Sequence, residues 1–322
     1  MSNITRRAAA LLLALGGLCG AQAQEFPSRP ITLVVPYAAG GPTDVATRII
    51  AEQMRAALGV MVAVENKPGA STIVGAQYVA NAKPDGYTLL MVTTTTLATN
   101  PHLYRKLAYK IEDFEPIAMT AKVPIGLAVK SSLPAKTIRE FRDYVKARPG
   151  KMSYGSAGTG ANSQLVNALM NQKLELLMAE IPYKGTAPAL NDLVAGHVDA
   201  LVDAIATLAP RQNAGQLRIL GNFDDRRSPV APDVPTFLES GYPDLVAFTW
   251  NAVVGPAGIP KPIVEKLSSA IVRAMESAET QRKFAELGFI PLTSTPAELA
   301  IYMRKELDRW GPLIRQMGIQ LD

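Results

Sequence analysis

The tightest constraint on this chain is the stretch ITLVVPYAAGGPTDVATRII, from Ile31 to Ile50. Ile31, Leu33, Val34 and Val35 form the short apolar run of a buried strand, Pro36 ends it, and Gly40 and Gly41 let the backbone turn without a Cβ penalty. A helix is predicted to begin near Thr43 and Asp44, because Val45, Ala46, Ile49 and Ile50 recur at helical spacing. The first four amides of such a helix lack an intrahelical acceptor and stand at the positive end of its dipole, so the turn suits an anion with no lysine present. At roughly 1.5–3 kcal/mol per charge-assisted hydrogen bond, two or three amides suffice to hold a carboxylate. Taken singly, a turn of this kind is more often a plain strand-to-helix connection.

The pattern continues. Val62 to Glu65 reads as a second strand, about Ser71 to Asn81 as a helix, Lys83-Pro84-Asp85-Gly86 as a turn, and Tyr87 to Val92 as a third strand running into Thr93–Thr96. Parallel strands deliver their carboxyl ends to one edge, where open α/β sheets place ligands. Thr94 and Thr95 lie at that edge; their hydroxyls suit a polar ligand, with β-propensity and local capping as the ordinary alternative. From Asp113 to Lys130 the chain breaks into short apolar pieces around Pro116 and Pro124, which predicts a crossing into another lobe. A second series follows: strand Ile125 to Val129, helix Thr137 to Ala147, strand Met152 to Tyr154, and then Gly155-Ser156-Ala157-Gly158-Thr159-Gly160 opening a helix that carries Leu165, Val166, Leu169 and Met170. This turn lacks the third glycine of a dinucleotide fingerprint and the Gly-Lys-Ser/Thr ending of a phosphate loop, but it repeats the first turn in kind.

Strand Leu177 to Pro182, helix Thr186 to Ala195, strand Val198 to Ala204 and strand Arg218 to Asn222 complete the second lobe. Asp203, near a strand's carboxyl end, either faces the cleft or caps a helix. Asp224-Asp225-Arg226-Arg227 reads as a solvated turn at a second crossing. The tail offers a strand, Trp250 to Gly255, and helices near Pro262–Glu276, Thr280–Leu287 and Pro296–Met317 that would cover the first lobe. The expected architecture is an α/β clamp, with residues 24–122 plus 223–322 as one lobe and 123–222 as the other.

Composition narrows the function. Met1 to Ala23 has the form of a secretory signal, with Arg6 and Arg7, an apolar segment Ala8–Leu18 and the small-x-small site Ala21-Gln22-Ala23; Sec export fits better than the twin-arginine route. Cys19, the single cysteine, falls in the segment to be removed, which leaves no disulfide, thiolate metal site or cysteine nucleophile. His102 and His197 show no metal-ligand spacing, so neither a metal nor another cofactor is expected. Removing Arg6 and Arg7 takes the 33 basic side chains to 31 against 28 acidic ones, a scattered excess unlike a nucleic-acid-binding field. No G-x-S-x-G elbow occurs, Tyr154 standing where its first glycine would be, and an exported hydrolase or transferase is the weaker reading.

With VVPYAAGGPTD, VENKPGAST, PDGYTLL, YGSAGTG, PYKGTAPAL and DVPTFLESG in this order, the chain resembles the Bug family of extracytoplasmic solute receptors, the TctC-like binding components of tripartite tricarboxylate transporters. The resemblance covers nearly all of the mature sequence. It implies a two-lobe type 2 periplasmic-binding-protein fold hinged on two crossing strands. It also implies a periplasmic, non-enzymatic receptor, expected to be monomeric, that holds a small organic acid, a mono- or dicarboxylate, and delivers it to a two-component integral membrane permease; an aromatic body is an option that rests on Ala204, a departure from many relatives. A receptor that reports to a membrane sensor would need the same clamp. By likeness, the loop from Tyr37 through Ala39, Gly40, Gly41 and Thr43 to Asp44 grips one carboxylate, and Ser156, Ala157, Gly158, Thr159 and Asn162 face it from the other lobe. Two positions depart from many relatives, Gln164 in place of histidine and Ala204 in place of asparagine after the cleft Asp203, so the ligand need not be that of any given relative.

Overall fold

The computed structural model describes residues 25–322; the expected signal segment lies outside them. Strand β1 (Ile31–Val35) is buried almost throughout and leads through the glycine turn to helix α1 (Pro42–Leu58). Pro42 sits at the first helical position, where a missing N–H costs nothing, and Gly59 closes the helix with a left-handed φ of 73°. Ala46, Ile50 and Met54, one turn apart, put the apolar face of α1 into the core, each larger side chain stabilising by about 1.5–3 kcal/mol. β2 (Val62–Asn66), α2 (Ile73–Ala80) and β3 (Thr88–Thr93) follow, and β2-β1-β3 form a parallel array.

The threonine run does not continue β3. Thr95–Thr99 winds into a single π-turn that opens the short helix α3 (Asn100–Leu103). The crossing also differs from expectation. Instead of short pieces, Phe114–Lys130 is one 17-residue strand, β4, that runs through both prolines. Its pairing with β9 (Phe248–Pro256) shifts register just after Pro116, and Pro124 falls at the last β9 partner, so neither missing N–H interrupts a regular ladder. Beyond Pro124 the same strand takes new neighbours, β7 (Ala200–Ala204) and β8 (Leu217–Asn222).

Between these come α4 (Ile138–Lys146), capped by the Thr137 hydroxyl on the Glu140 amide, β5 (Met152–Ser156), α5 (Asn162–Leu174), β6 (Met178–Pro182) and α6 (Thr186–Ala195). β7-β5-β6 make a second parallel array. The helix α7 (Ile205–Asn213) follows β7 directly. The tail adds α8 (Lys261–Glu276), α9 (Ala278–Glu286), β10 (Ile290–Pro291) against β4, and α10 (Pro296–Met317), which starts in a Thr295–Glu298 capping box. Among the described residues ten strands make one sheet: eight follow the path β2-β1-β3-β9-β4-β7-β5-β6, and β8 and β10 pair with β4 off that path, so β4 belongs to both arrays. This is a mixed α/β architecture. The two parallel arrays point their carboxyl ends at a common cleft.

The second passage between the arrays is no regular strand. Residues 223–247 hold their course through single contacts, Phe223 N to Ile125 O at 2.9 Å and Ala247 N to Phe223 O at 2.8 Å. Asp224, read from sequence as solvated, is fully buried: Lys122 Nζ donates to its Oδ1 at 3.1 Å and to Asp225 Oδ1 at 2.9 Å. Strand β4 brings that lysine to the crossing, a pairing the local sequence around Asp224 does not carry.

Candidate functional site

A cavity of about 760 Å³ lies between the strand ends. Four helices start at its wall: α1 with Pro42 and Thr43, α5 with Asn162 and Ser163, α6 with Thr186, and α7 with Ala206 and Thr207. Each presents the positive end of its dipole. Among the described residues no Lys, Arg or His lines the space, and Asp203 is the one carboxyl that does.

On the first side the turn is built by Asp44. Its carboxylate accepts from the Gly40 amide at 2.8 Å, Arg48 Nε at 3.0 Å and Asn66 Nδ2 at 2.9 Å. Burial pulls this carboxyl up, but the donors from Arg48, Gly40 and Asn66 outweigh it and hold it below the ordinary range. Asp44 therefore does not line the cavity; it locks the loop that does. Gly40, at φ 83°, is the position that needs glycine, whereas Gly41 has an ordinary φ of −75°. Pro42 removes one of the four expected amides, and the N–H groups of Gly41, Thr43 and Asp44 have no acceptor among the described residues. Tyr37 donates to or accepts from Thr93 Oγ1 at 2.8 Å, and burial raises its phenol above the usual range.

The second loop has the same logic with different parts. Ser156 Oγ donates to Glu180 Oε1 at 2.6 Å, and Gln164 joins the same carboxylate through Nε2 at 3.0 Å while its Oε1 accepts from the Gly160 amide at 2.7 Å. Ser163 Oγ accepts from the Ala157 amide at 3.0 Å. Ser156 and Gln164 are thus loop braces, buried behind the wall. Gly158, whose φ is 109°, and Thr159, which is exposed, are turn residues that do not line the cavity either. The amides of Asn162, Ser163 and Gln164 have no acceptor among the described residues.

Of the sequence-predicted positions, Tyr37, Ala39, Gly40, Gly41, Thr43, Thr95, Ala157, Asn162 and Asp203 meet at the cavity. Thr94 does not: its hydroxyl accepts from the Trp250 amide at 3.2 Å and ties the end of β3 to β9. Sequence reading missed Thr249 and Asn251 on β9, and Leu287 and Phe289 from the tail. β9 looks like any buried strand, so only its place between β3 and β4 reveals these. Thr186, after the left-handed Gly185, repeats the glycine-to-helix signal and was open to recognition on that ground.

Two contacts cross the cleft. Asn162 Nδ2 donates to Thr249 Oγ1 at 2.6 Å, and Gly288, beside Leu287 and Phe289, packs so closely on Ala206 that a Cβ there would lie 2.4 Å from the Ala206 Cβ. Asn162 Oδ1 and Asp203 Oδ2 are buried without a partner, and Asp203 Oδ1 accepts from the Ala204 amide at 2.8 Å. Burial raises the Asp203 carboxyl to about 6, against the Ala204 amide and the Thr186 hydroxyl, which lower it. The histidines stand elsewhere: His102 Nε2 meets the Leu307 carbonyl at 2.8 Å and His197 pairs with Asp192 at the surface. No group of residues among those described has the makings of a metal site, and no helix among them is long and apolar enough to cross a membrane.

The model of the tripartite tricarboxylate transporter receptor family matches residues 46–319. Protein BugT of Bordetella pertussis is 33% identical over 99% of this chain and 99% of its own length. Among solved structures, a protein of R. palustris described with adipate is 32% identical at a TM-score of 0.79, covering 92% of this chain and 99% of that one. MatC of Rhodopseudomonas palustris, described with bound malate, is 34% identical at a TM-score of 0.74, covering 90% and 100%.

Proposed function

Because this chain belongs to the tripartite tricarboxylate transporter receptor family, we propose that it is a periplasmic receptor that closes on a small organic carboxylate and delivers it to a two-component membrane permease. In this reading the lobes are residues 24–122 plus 223–322 and residues 123–222, and a cleaved signal segment at 1–23 directs export. The observation that carries it is the cavity wall: four helix N-termini converge on one space that holds no cationic side chain. Unpaired amides of Gly41 and Thr43 on one side, and of Asn162 and Ser163 on the other, suit carboxylate oxygens, at roughly 1.5–3 kcal/mol per charge-assisted bond. The relatives described with adipate and malate support the same ligand class.

The test is a thermal-shift screen of the mature protein, refolded from denaturant to remove anything carried through purification, against mono-, di-, tri- and aromatic carboxylates. An acid at a hundred times its Kd stabilises by about 2.7 kcal/mol, and the melting temperature should rise accordingly. Panels in which no acid raises it would refute the reading. For delivery, a strain lacking this gene should lose uptake of the acid so identified, and normal uptake would sink that part.

A further inference from the structure

We propose that Asp203 meets the ligand as a neutral acid, donating its proton to a ligand carboxylate on the α5–α6–α7 side of the cavity, so that capture of a dicarboxylate takes up one proton from solvent. This rests on the carboxylate reading above. Among the described residues Asp203 is the one carboxyl in the wall, and none of them supplies an ammonium, guanidinium or imidazole there to neutralise it. The groups packed about it are neutral: the Ala204 amide of its own segment, the Thr186 hydroxyl at the start of α6, Gly126 paired across from β4, and Tyr37 as the other titratable side chain of the cavity. Oδ1 is held by the Ala204 amide, and Oδ2 has no partner. An ionised carboxylate in that position has one oxygen unsatisfied, whereas a protonated one carries an O–H suited to an anionic acceptor.

Magnitudes favour protonation once a ligand arrives. Burial already brings Asp203 to about 6, so at pH 7 its neutral form is disfavoured only about tenfold. A second carboxylate at about 4 Å disfavours the ionised form by roughly a thousandfold at the effective dielectric of such sites. The proton therefore binds with the ligand, on Asp203 Oδ2 or, after a half-turn about its terminal bond, on Oδ1. Asn162, whose Oδ1 is the other unpartnered acceptor of the wall, stays neutral throughout and takes no part in the proton balance.

The experiment uses the refolded mature chain and three probes, adipate, malate and glutarate, with glutamate as the amine-bearing match to glutarate. Titration calorimetry in buffers of different ionisation enthalpy should report about one proton taken up per dicarboxylate at pH 7.5. Affinity should fall about tenfold per pH unit from pH 7 to 8.5, and Asp203→Asn should abolish both the uptake and the slope. Dicarboxylate binding with no proton uptake and a flat pH profile overturns the proposal while leaving the carboxylate reading intact. So does glutamate binding at least tenfold tighter than glutarate without uptake, because Asp203 would then be an ionised partner for an ammonium. Failure of every acid, at every pH from 5 to 8.5, overturns both. The wild-type buffer series needs no variant, so a folding defect in Asp203→Asn leaves the outcome decided.

Discussion

Replacing Lys122 with methionine removes the ammonium that faces Asp224 where β4 passes from one strand array to the other. The Asp224 carboxylate is fully buried; its Oδ1 lies 3.1 Å from Lys122 Nζ and 2.7 Å from the Asp225 amide, and its Oδ2 has no partner. Removing one member of such a pair leaves a buried charge uncompensated, at a cost of about 3–5 kcal/mol. The stranded carboxyl relieves that cost by taking a proton, and because it already stands at about 6 this costs about 1.4 kcal/mol at pH 7; with the two contacts that follow, the expected loss is about 3 kcal/mol. The contact with Asp225, whose side chain is 45% exposed, contributes about 1 kcal/mol at most, and the ammonium 4.4 Å above the Phe248 ring about 0.5–1 kcal/mol. Urea denaturation followed by the fluorescence of Trp250 and Trp310, both buried, measures the loss. A second substitution, Asp224→Asn, removes the stranded charge, so Lys122→Met/Asp224→Asn should recover about 1.4 kcal/mol of what Lys122→Met loses, the share due to that proton. Burial, with Asp225 adding to it, holds the Asp224 carboxyl above the ordinary range, so the defect of the single variant should shrink as pH is lowered and the carboxyl takes a proton. A loss below about 1 kcal/mol, or one undiminished in the double variant, would refute the assignment of this pair as a buried charge pair rather than a surface contact.

Two further outcomes follow from the cleft. The folded Asp203 carboxyl, raised to about 6 from 3.8, binds more protons than the unfolded chain between those values, so the stability of the ligand-free protein should fall as pH rises through that window, by about 3 kcal/mol at most. Asp203→Asn should remove that component, and denaturation midpoints of variant and wild type whose difference stays constant from pH 4 to 7.5 would contradict it. Gly288→Ala puts a methyl 2.4 Å from the Ala206 Cβ at a φ of 71°, and should cost about 2 kcal/mol while weakening ligand affinity, because Leu287 and Phe289 on either side line the cavity. Ala206→Gly added to it should relieve the clash but not the backbone strain, a split that melting temperatures of the three variants resolve.

Most of the fold was legible because the periodicities are clean. Val45, Ala46, Ile49 and Ile50 announce α1, and the alternation of strand and helix announces parallel arrays. What was not legible depends on partners remote in sequence. Pro116 and Pro124 read as breaks, since nothing nearby says that β9 leaves room for a register shift at the one and ends its pairing at the other. The threonines after β3 have strand propensity, and tertiary context overrides it: Thr94 Oγ1 holds β9, Tyr109 Oη donates to the Thr96 carbonyl at 2.6 Å, and the chain winds into the π-turn Thr95–Thr99. Asp224 reads as solvated because its lysine lies about a hundred residues earlier on β4. The helix α7 went unread, Pro210 within it disguising the pattern.

The site divides along a different line. Read from sequence, backbone amides of the two glycine turns belong to the site, and beside them the side chains of Asp44, Ser156 and Gln164 count among the ligand contacts. In the folded protein these groups are engaged with one another or with Arg48, Asn66 and Glu180, shaping two loops from behind. Beside Tyr37, Thr43, Asn162 and Ser163, those loops bring to the cavity Ala39, Gly40, Gly41 and Ala157, residues that have only backbone polar groups to offer. The physical reason is geometric. A side-chain donor moves through rotamers and must be ordered when a ligand binds, whereas an amide fixed at a helix start is already aimed, and its dipole is oriented before the ligand arrives. A wall built this way suits an anion without placing a fixed cation opposite it, and the polar side chains that line it, among them Tyr37, Thr43, Thr249 and Asn251 as well as Asn162 and Asp203, are left to distinguish one carboxylate from another. Among the described cavity-lining side chains, Asn162 and Asp203 are the two with a buried polar atom that has no partner, and both stand at a helix start or strand end of the second array, so that side holds the side-chain atoms still free to bond a ligand.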